Sequence, residues 1–108
     1  MSGQRFSSYI AGQWVEGDGG HADENPSDLA SPVGVYGTLD AARTAQAVEA
    51  AAAALPKWSL STPQQRADIL DAVGSEILAR REELGRLLAR EEGKTLAESI
   101  GEAARAGQ

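Results

Sequence analysis

Twenty of the forty-five hydrophobic residues in this chain are alanines, and seventeen of those lie beyond residue 38. Leu, Ile, Val and Phe together supply another twenty, about 19% of the 108 residues, just under the level at which a charged chain folds comfortably by itself. Alanine favours helix more than any other residue and offers little side chain to bury. The composition therefore predicts helices that pack closely, through small side chains, against something else. At this length the chain is at most one domain.

Several classes of function fall away. No run of about 18 apolar residues exists, so no membrane span is expected. The opening Met1-Ser2-Gly3-Gln4-Arg5-Phe6 has no apolar core, so no secretory signal is expected either. The absence of cysteine removes disulfides, thiolate zinc sites and a cysteine nucleophile from these 108 residues. A formal charge of −6 opposes binding to nucleic acid, whose phosphates need a basic surface. A soluble, cytoplasmic, acidic protein is the expectation that remains.

The chain divides near residue 38, with strands and turns over 1–37 and helices over 38–108. Tyr9-Ile10 and Trp14-Val15 flank Ala11-Gly12-Gln13, which predicts a short hairpin with Gly12 at positive φ. Gly17-Asp18-Gly19-Gly20 predicts a second turn, and Asn25-Pro26-Ser27-Asp28 a third, in which Asn25 closes an Asx turn. Val33-Gly34-Val35-Tyr36 predicts a last strand, and the pairings are expected to be short and antiparallel.

Three to four helices follow. Asp40 caps the first, whose inward stripe is Ala42, Ala45, Val48, Ala52 and Leu55. Pro56 is expected to stop it, with Trp58 folding back as a plug. Thr62-Pro63-Gln64-Gln65 is a capping box with proline at the first helical position. The stripe behind it is Ile69, Leu70, Val73, Ile77 and Leu78. Spacing leaves open whether Ala79–Glu83 breaks or continues the helix. Leu84, Leu87 and Leu88 belong to a stretch near Arg81–Glu92 that ends at Gly93. Thr95-Leu96-Ala97-Glu98 opens a final helix, with Ile100, Ala103 and Ala104 inward, that is barely under way at Gln108. This predicts a truncated chain.

No residue set carries chemistry of its own. Gly93-Lys94-Thr95 matches the end of a phosphate-binding loop, but Leu88 sits where that loop needs glycine, and a helix precedes it instead of a strand. Gly17, Gly19 and Gly20 lack the third glycine and the following helix of a dinucleotide fingerprint. His21 has no cysteine partner and only Asp23 and Glu24 near it in sequence, so a solvated histidine is expected. Glu82, Glu83, Glu91 and Glu92 alternate with Arg80, Arg81, Arg86 and Arg90. Pairs such as Glu82–Arg86 and Glu83–Arg86 belong on a wet helix face. No catalytic, cofactor-binding or metal residue is assigned.

The order of segments nevertheless resembles the N-terminal part of the aldehyde dehydrogenase superfamily. The matching pieces are Tyr9-Ile10-Ala11-Gly12-Gln13-Trp14-Val15, Asn25-Pro26-Ser27-Asp28, Leu55-Pro56-Lys57-Trp58-Ser59 and Thr62 through Leu70. Arg80-Arg81-Glu82-Glu83-Leu84 and Glu91-Glu92-Gly93-Lys94-Thr95-Leu96-Ala97-Glu98 complete the series. Ala11 departs from the Asn usual before that glycine. The wording of the helices is similar to the α-ketoglutarate semialdehyde branch.

The resemblance implies an α/β family fold with a Rossmann-like cofactor domain, of which this chain is the opening part. It also implies oxidation of an aldehyde to an acid with NAD or NADP, in a homo-oligomer. Family members form a thiohemiacetal on a cysteine, and a glutamate activates the water that releases the acid. None of those residues has a counterpart here. The chain is therefore expected to be inactive alone, to bind no cofactor alone, and to need the rest of the fold as partner. The alternative is a small helical module that binds a partner without catalysis. A nucleotide-binding mini-domain is disfavoured by the failed glycine spacings.

Overall fold

The computed structural model describes residues 4–108, so the opening Met1-Ser2-Gly3 lies outside it. The chain forms two compact units, one from Met1–Asp23 with Pro32–Ser61, the other from Glu24–Ser31 with Thr62–Gln108.

Among the described residues, the first unit contains five strands, β1 (Arg5–Phe6), β2 (Ser8–Ile10), β3 (Gln13–Val15), β4 (Asp18–Asp23) and β5 (Gly34–Thr38), then α1 (Ala41–Ser59). The expected hairpin is present as β2–β3, with Ile10 opposite Gln13 and Tyr9 opposite Trp14. Its loop is the two-residue Ala11-Gly12, both at positive φ (51° and 79°), so Gln13 belongs to the strand and not to the turn. That pair of dihedrals is the turn whose twist suits a hairpin. The Tyr9 and Trp14 rings meet across the strands at 4.9 Å.

Two strand expectations are corrected. Gly17–Gly20 is not a separate turn, because β4 starts at Asp18 and pairs antiparallel with β5, with an irregularity between Asp18 and His21. Gly19 takes φ 64° there, which lets an extra residue fit without ending the pairing. The glycines let two backbones touch: a Cβ on Gly17 would stand 2.5 Å from the Gly37 carbonyl carbon. The pairings are also not all antiparallel. β5 is central in the order β1-β5-β4, and β1 runs parallel to it, bringing Phe6 onto Tyr36 with ring centroids 5.0 Å apart. Arg5 donates to the Gly17 and Gly19 carbonyls, tying β1 to the start of β4.

Asp40 caps α1 as expected, its carboxylate accepting from Arg43 N at 2.8 Å. Pro56 does not stop the helix, which continues to Ser59 with Trp58 inside it. Proline forfeits the bond that its missing N–H would make to the Ala52 carbonyl and crowds that carbonyl, but its ring holds φ near the helical value. Within the final turn that loss is local: Leu60 N still reaches the Pro56 carbonyl at 3.1 Å. Trp58 is consequently a half-exposed helical residue and not a folded-back plug. The expected inward stripe of α1 is uncovered, with Val48 66% and Leu55 60% exposed.

The second unit holds α2 (Pro63–Ala79), α3 (Arg81–Glu92) and α4 (Leu96–Ala106). The capping box of α2 is complete: Thr62 Oγ1 accepts from Gln65 N at 3.2 Å, and Gln65 Oε1 accepts from Thr62 N at 2.9 Å. Arg80 breaks the chain direction between α2 and α3 with φ −101° and ψ 11°. This settles the Ala79–Glu83 ambiguity as a break, tightened by Arg80 N donating to the Glu76 and Ile77 carbonyls. α3 and α4 are packed against each other most closely at Gly85, where a Cβ would lie 2.7 Å from Ile100 Cα. Ser99 is wholly buried and Ala103 nearly so, while Ile100 and Ala104 are half-buried. The expected stripe of α4 is thus present, but its deepest member is the serine, satisfied through the Thr95 carbonyl at 2.9 Å. On α2, Ile77 and Leu78 are half-buried, whereas Ile69, Leu70 and Val73 remain exposed.

Candidate functional site

Within the helical unit, the two segments richest in signature residues meet. Asn25 makes the expected Asx turn, Oδ1 accepting from Ser27 N at 3.0 Å, and its carbonyl accepts from Asp28 N at 3.0 Å. Asn25 is buried, so the first bond satisfies its side-chain oxygen and the second its backbone carbonyl where little water reaches. Against this turn lies Gly93, left-handed at φ 73°, where a Cβ would come within 2.9 Å of Pro26 Cγ. Glycine is therefore required twice over at 93, by backbone conformation and by the proline beside it. Arg90 Nη2 lies 3.4 Å from the Ser31 carbonyl, a further link between α3 and the loop.

Lys94 is committed to its own neighbours. Its ammonium donates to both Glu102 oxygens at 2.8 and 2.9 Å and lies 2.6 Å from Glu92. Hydrogen bonding to Glu102, then Glu92, holds its pKa above the ordinary lysine value. Thr95 caps α4: its hydroxyl accepts from Glu98 N at 3.4 Å and donates to Glu98 Oε2 at 2.6 Å. That bond, with a second from the Thr95 backbone, keeps the Glu98 carboxyl below the usual range. Gly93-Lys94-Thr95 is thus a helix-to-helix junction whose lysine is neutralised within the protein, leaving no free cation to meet a phosphate.

Of the other sequence candidates, Glu92 belongs to this junction as a partner of Lys94. Gly17, Gly19, Gly20 and His21 belong to the strand unit, with His21 on β4 opposite Tyr36 and exposed. Glu83 does not pair with Arg86 but takes Arg80 bidentately at 2.9 and 2.6 Å, which lowers its pKa and raises that of Arg80. Asp23 Oδ2 is buried without a hydrogen-bond partner among the described residues, and no cluster of three or more histidine or acidic side chains able to hold a metal occurs among them. None of the described helices is long and apolar enough to cross a membrane.

Sequence reasoning missed one feature. A groove of about 550 Å³ runs between α2 and the C-terminal end of α4, lined by Leu70, Asp71, Val73, Leu78, Gly107 and Gln108 among others. Leu70, Val73 and Leu78 were visible as an apolar stripe; their meeting with Gly107 was not, since it depends on how α4 returns to α2.

The element order, five strands and α1 and then a capped three-helix unit, in a chain without cysteine, is that of a known oxidoreductase family. The chain belongs to the aldehyde dehydrogenase family, whose model matches residues 14–108. It is 36% identical over 102 residues to the glutarate-semialdehyde dehydrogenase of Pseudomonas aeruginosa, covering 93% of this chain and 21% of that protein. It is 35% identical over 101 residues to the α-ketoglutarate semialdehyde dehydrogenase of Haloferax volcanii, covering 92% and 21%. Among solved structures, an NADP-dependent enzyme of E. coli matches with a TM-score of 0.89 at 31% identity, over 96% of this chain and 22% of that one. The chain spans about a fifth of the length of the relatives it matches.

Proposed function

We propose that this chain is the opening segment of an NAD(P)-dependent aldehyde dehydrogenase subunit that oxidises a semialdehyde, with an aldehyde at one end and a carboxylate at the other, to the diacid. The observation that carries this reading is the family match over residues 14–108, on a chain a fifth as long as its semialdehyde-oxidising relatives. The chain's own part is architectural. It contains no cysteine to attack an aldehyde, and the cation at the α3–α4 junction, Lys94, is already neutralised. In this reading residues 1–108 form the edge of a Rossmann-like cofactor domain, the complete subunit works in the cytoplasm as a homo-oligomer, and NAD(P) binds only when the remainder of the fold is present.

The test is the mass of the native product, located with peptides from Tyr9–Trp14 and Ala67–Arg80. A product several times heavier, with a cysteine-bearing remainder and semialdehyde-dependent NAD(P)H formation, is expected. A native product near 11.3 kDa overturns the reading. So does aldehyde oxidation that co-purifies with the 108-residue chain. A partner-binding module without catalysis is the second reading, favoured by the exposed apolar residues of α1 and α2. Size-exclusion with light scattering separates them, because a cooperatively melting, partner-free monomer argues against such a module.

A further inference from the structure

We infer that Asp18-Gly19 is a site of spontaneous backbone modification, at which the Asp18 side chain closes onto the Gly19 nitrogen and reopens as isoaspartate. The reaction needs only β4, β5 and one peptide bond, and it stands apart from the family reading above.

The step balances with water as the sole co-reactant. The Gly19 amide nitrogen attacks Asp18 Cγ, a C–N bond forms, and one water leaves, made from the carboxyl OH and the amide proton. The succinimide ring then takes up water at one of its two carbonyls. Opening at Cγ restores aspartate. Opening at the Asp18 backbone carbon breaks its bond to the Gly19 nitrogen. The chain then runs through Cβ and Cγ, one methylene longer, and the old backbone carbon becomes a carboxylate.

Three observations select this aspartate from the six in the chain. Asp18 alone is followed by glycine, so no side chain shields the attacking nitrogen. Its carboxylate is 80% exposed, and its ion pair with Arg43 at 3.5 Å is of the wet kind that restrains little. The β4–β5 ladder also lapses here. Asp18 faces Thr38 and His21 faces Tyr36, so Gly19 and Gly20 together oppose Gly37 alone, a bulge with one residue unpaired. Arg5 donates to the Gly17 and Gly19 carbonyls, which flank the Asp18–Gly19 peptide, and neither bond holds the peptide that reacts.

The other aspartates are held. Asp40 accepts from Arg43 N and Asp28 from Ala30 N. Asp68 and Asp71 lie within α2, whose hydrogen-bond ladder fixes the nitrogen after each. Asp23 has a buried Oδ2. The bulge also receives the product, because the added methylene enters where β4 already carries one residue more than β5.

The test separates the bulge from the dipeptide. Deleting Gly19 leaves Asp18 followed by Gly20, the same dipeptide, but restores a one-to-one ladder against Thr38, Gly37 and Tyr36. The parent, this deletion and Asp18→Glu are aged at neutral pH as 108-residue chains, each also in guanidinium as its own unfolded reference. Electron-transfer fragmentation cleaves the Cα–Cβ bond peculiar to an isoaspartyl backbone, and so locates the product.

In the parent, isoaspartate is expected at position 18 at least ~10-fold faster than at any other aspartate, and within ~3-fold of the unfolded reference. The deletion is expected to fall at least ~10-fold below its own reference, because a closed ladder must open before the ring can form. Asp18→Glu, one methylene too long for that ring, is expected to give no product there. A parent more than ~3-fold slower than its reference overturns the inference, since the bulge then protects the site. A folded deletion variant that reacts as fast as its reference also overturns it, since the bulge then selects nothing. If the deletion unfolds, a glycine inserted after Gly37 closes the same ladder from β5, and it carries the same expectation and the same refutation.

Discussion

Gly85 and Gly101 allow one substitution to be read in two environments. Both sit inside helices, so alanine at either gains about 1 kcal/mol of helix propensity. At Gly101 the new methyl has no heavy atom within 4 Å, and the gain is realised in full. At Gly85 the methyl would lie 2.6 Å from Ile100 Cγ1, 2.7 Å from its Cα and 2.9 Å from its backbone N. The side chain can rotate away, but the backbone cannot. To restore an ordinary contact α4 must recede by about 0.7 Å, which loosens the packing around Ser99 and Ala103. Overpacking of this kind costs about 1–3 kcal/mol. The propensity gain is common to both variants and cancels in the comparison, so Gly85→Ala should be less stable than Gly101→Ala by that same ~1–3 kcal/mol. For a chain of this size each kcal/mol moves the melting midpoint by about 4–8 °C. Thermal unfolding followed by far-UV circular dichroism is expected to place Gly101→Ala above Gly85→Ala by at least ~4 °C. A Gly85→Ala protein that melts at or above Gly101→Ala refutes the close approach of α3 and α4.

Three further outcomes follow from single sites. Ala11 takes φ 51° in the hairpin turn, a conformation costing a side-chain-bearing residue about 1–2 kcal/mol, so Ala11→Asn should stabilise the strand unit by roughly half of that, seen as slower amide exchange at Ile10 and Gln13. Pro56→Ala restores a donor for the Ala52 carbonyl and should raise ellipticity at 25 °C and lower fraying of α1 beyond residue 55; unchanged helicity would show that the ring imposes no loss there. The third outcome concerns acid. The Thr95 hydroxyl holds the Glu98 carboxyl below the ordinary glutamate range, so its contribution is complete above that range and disappears as pH falls through the depressed value. The parent should therefore lose more stability than Glu98→Gln between pH 5 and pH 3, and equal acid sensitivity of the two would contradict the Thr95–Glu98 bond.

The local signals in this sequence act over three or four residues, and those were legible without a structure. Thr62 and Gln65 cap α2, Asp40 caps α1, Asn25 closes its turn and Gly93 ends α3, because each depends on a hydrogen bond or dihedral reachable within its own segment. The same locality explains the errors. Gly17–Gly20 has the composition of a turn, but the neighbouring β5 backbone recruits Asp18 onward into a strand. Pro56 has the signature of a stop, but three more residues kept their helical bonds behind it.

Family membership was legible for a related reason, since the order of short motifs along the chain survives without any knowledge of their contacts. What the sequence alone determined is thus the helices, most of their caps, and the lack of a cysteine. Tertiary structure alone decided that β1 joins β5 in parallel and that the end of α4 returns to α2 to form a groove. Those outcomes join residues far apart in the chain, and no residue type encodes its distant neighbour; closure of the backbone around Gly74, Gly85 and Gly107 does.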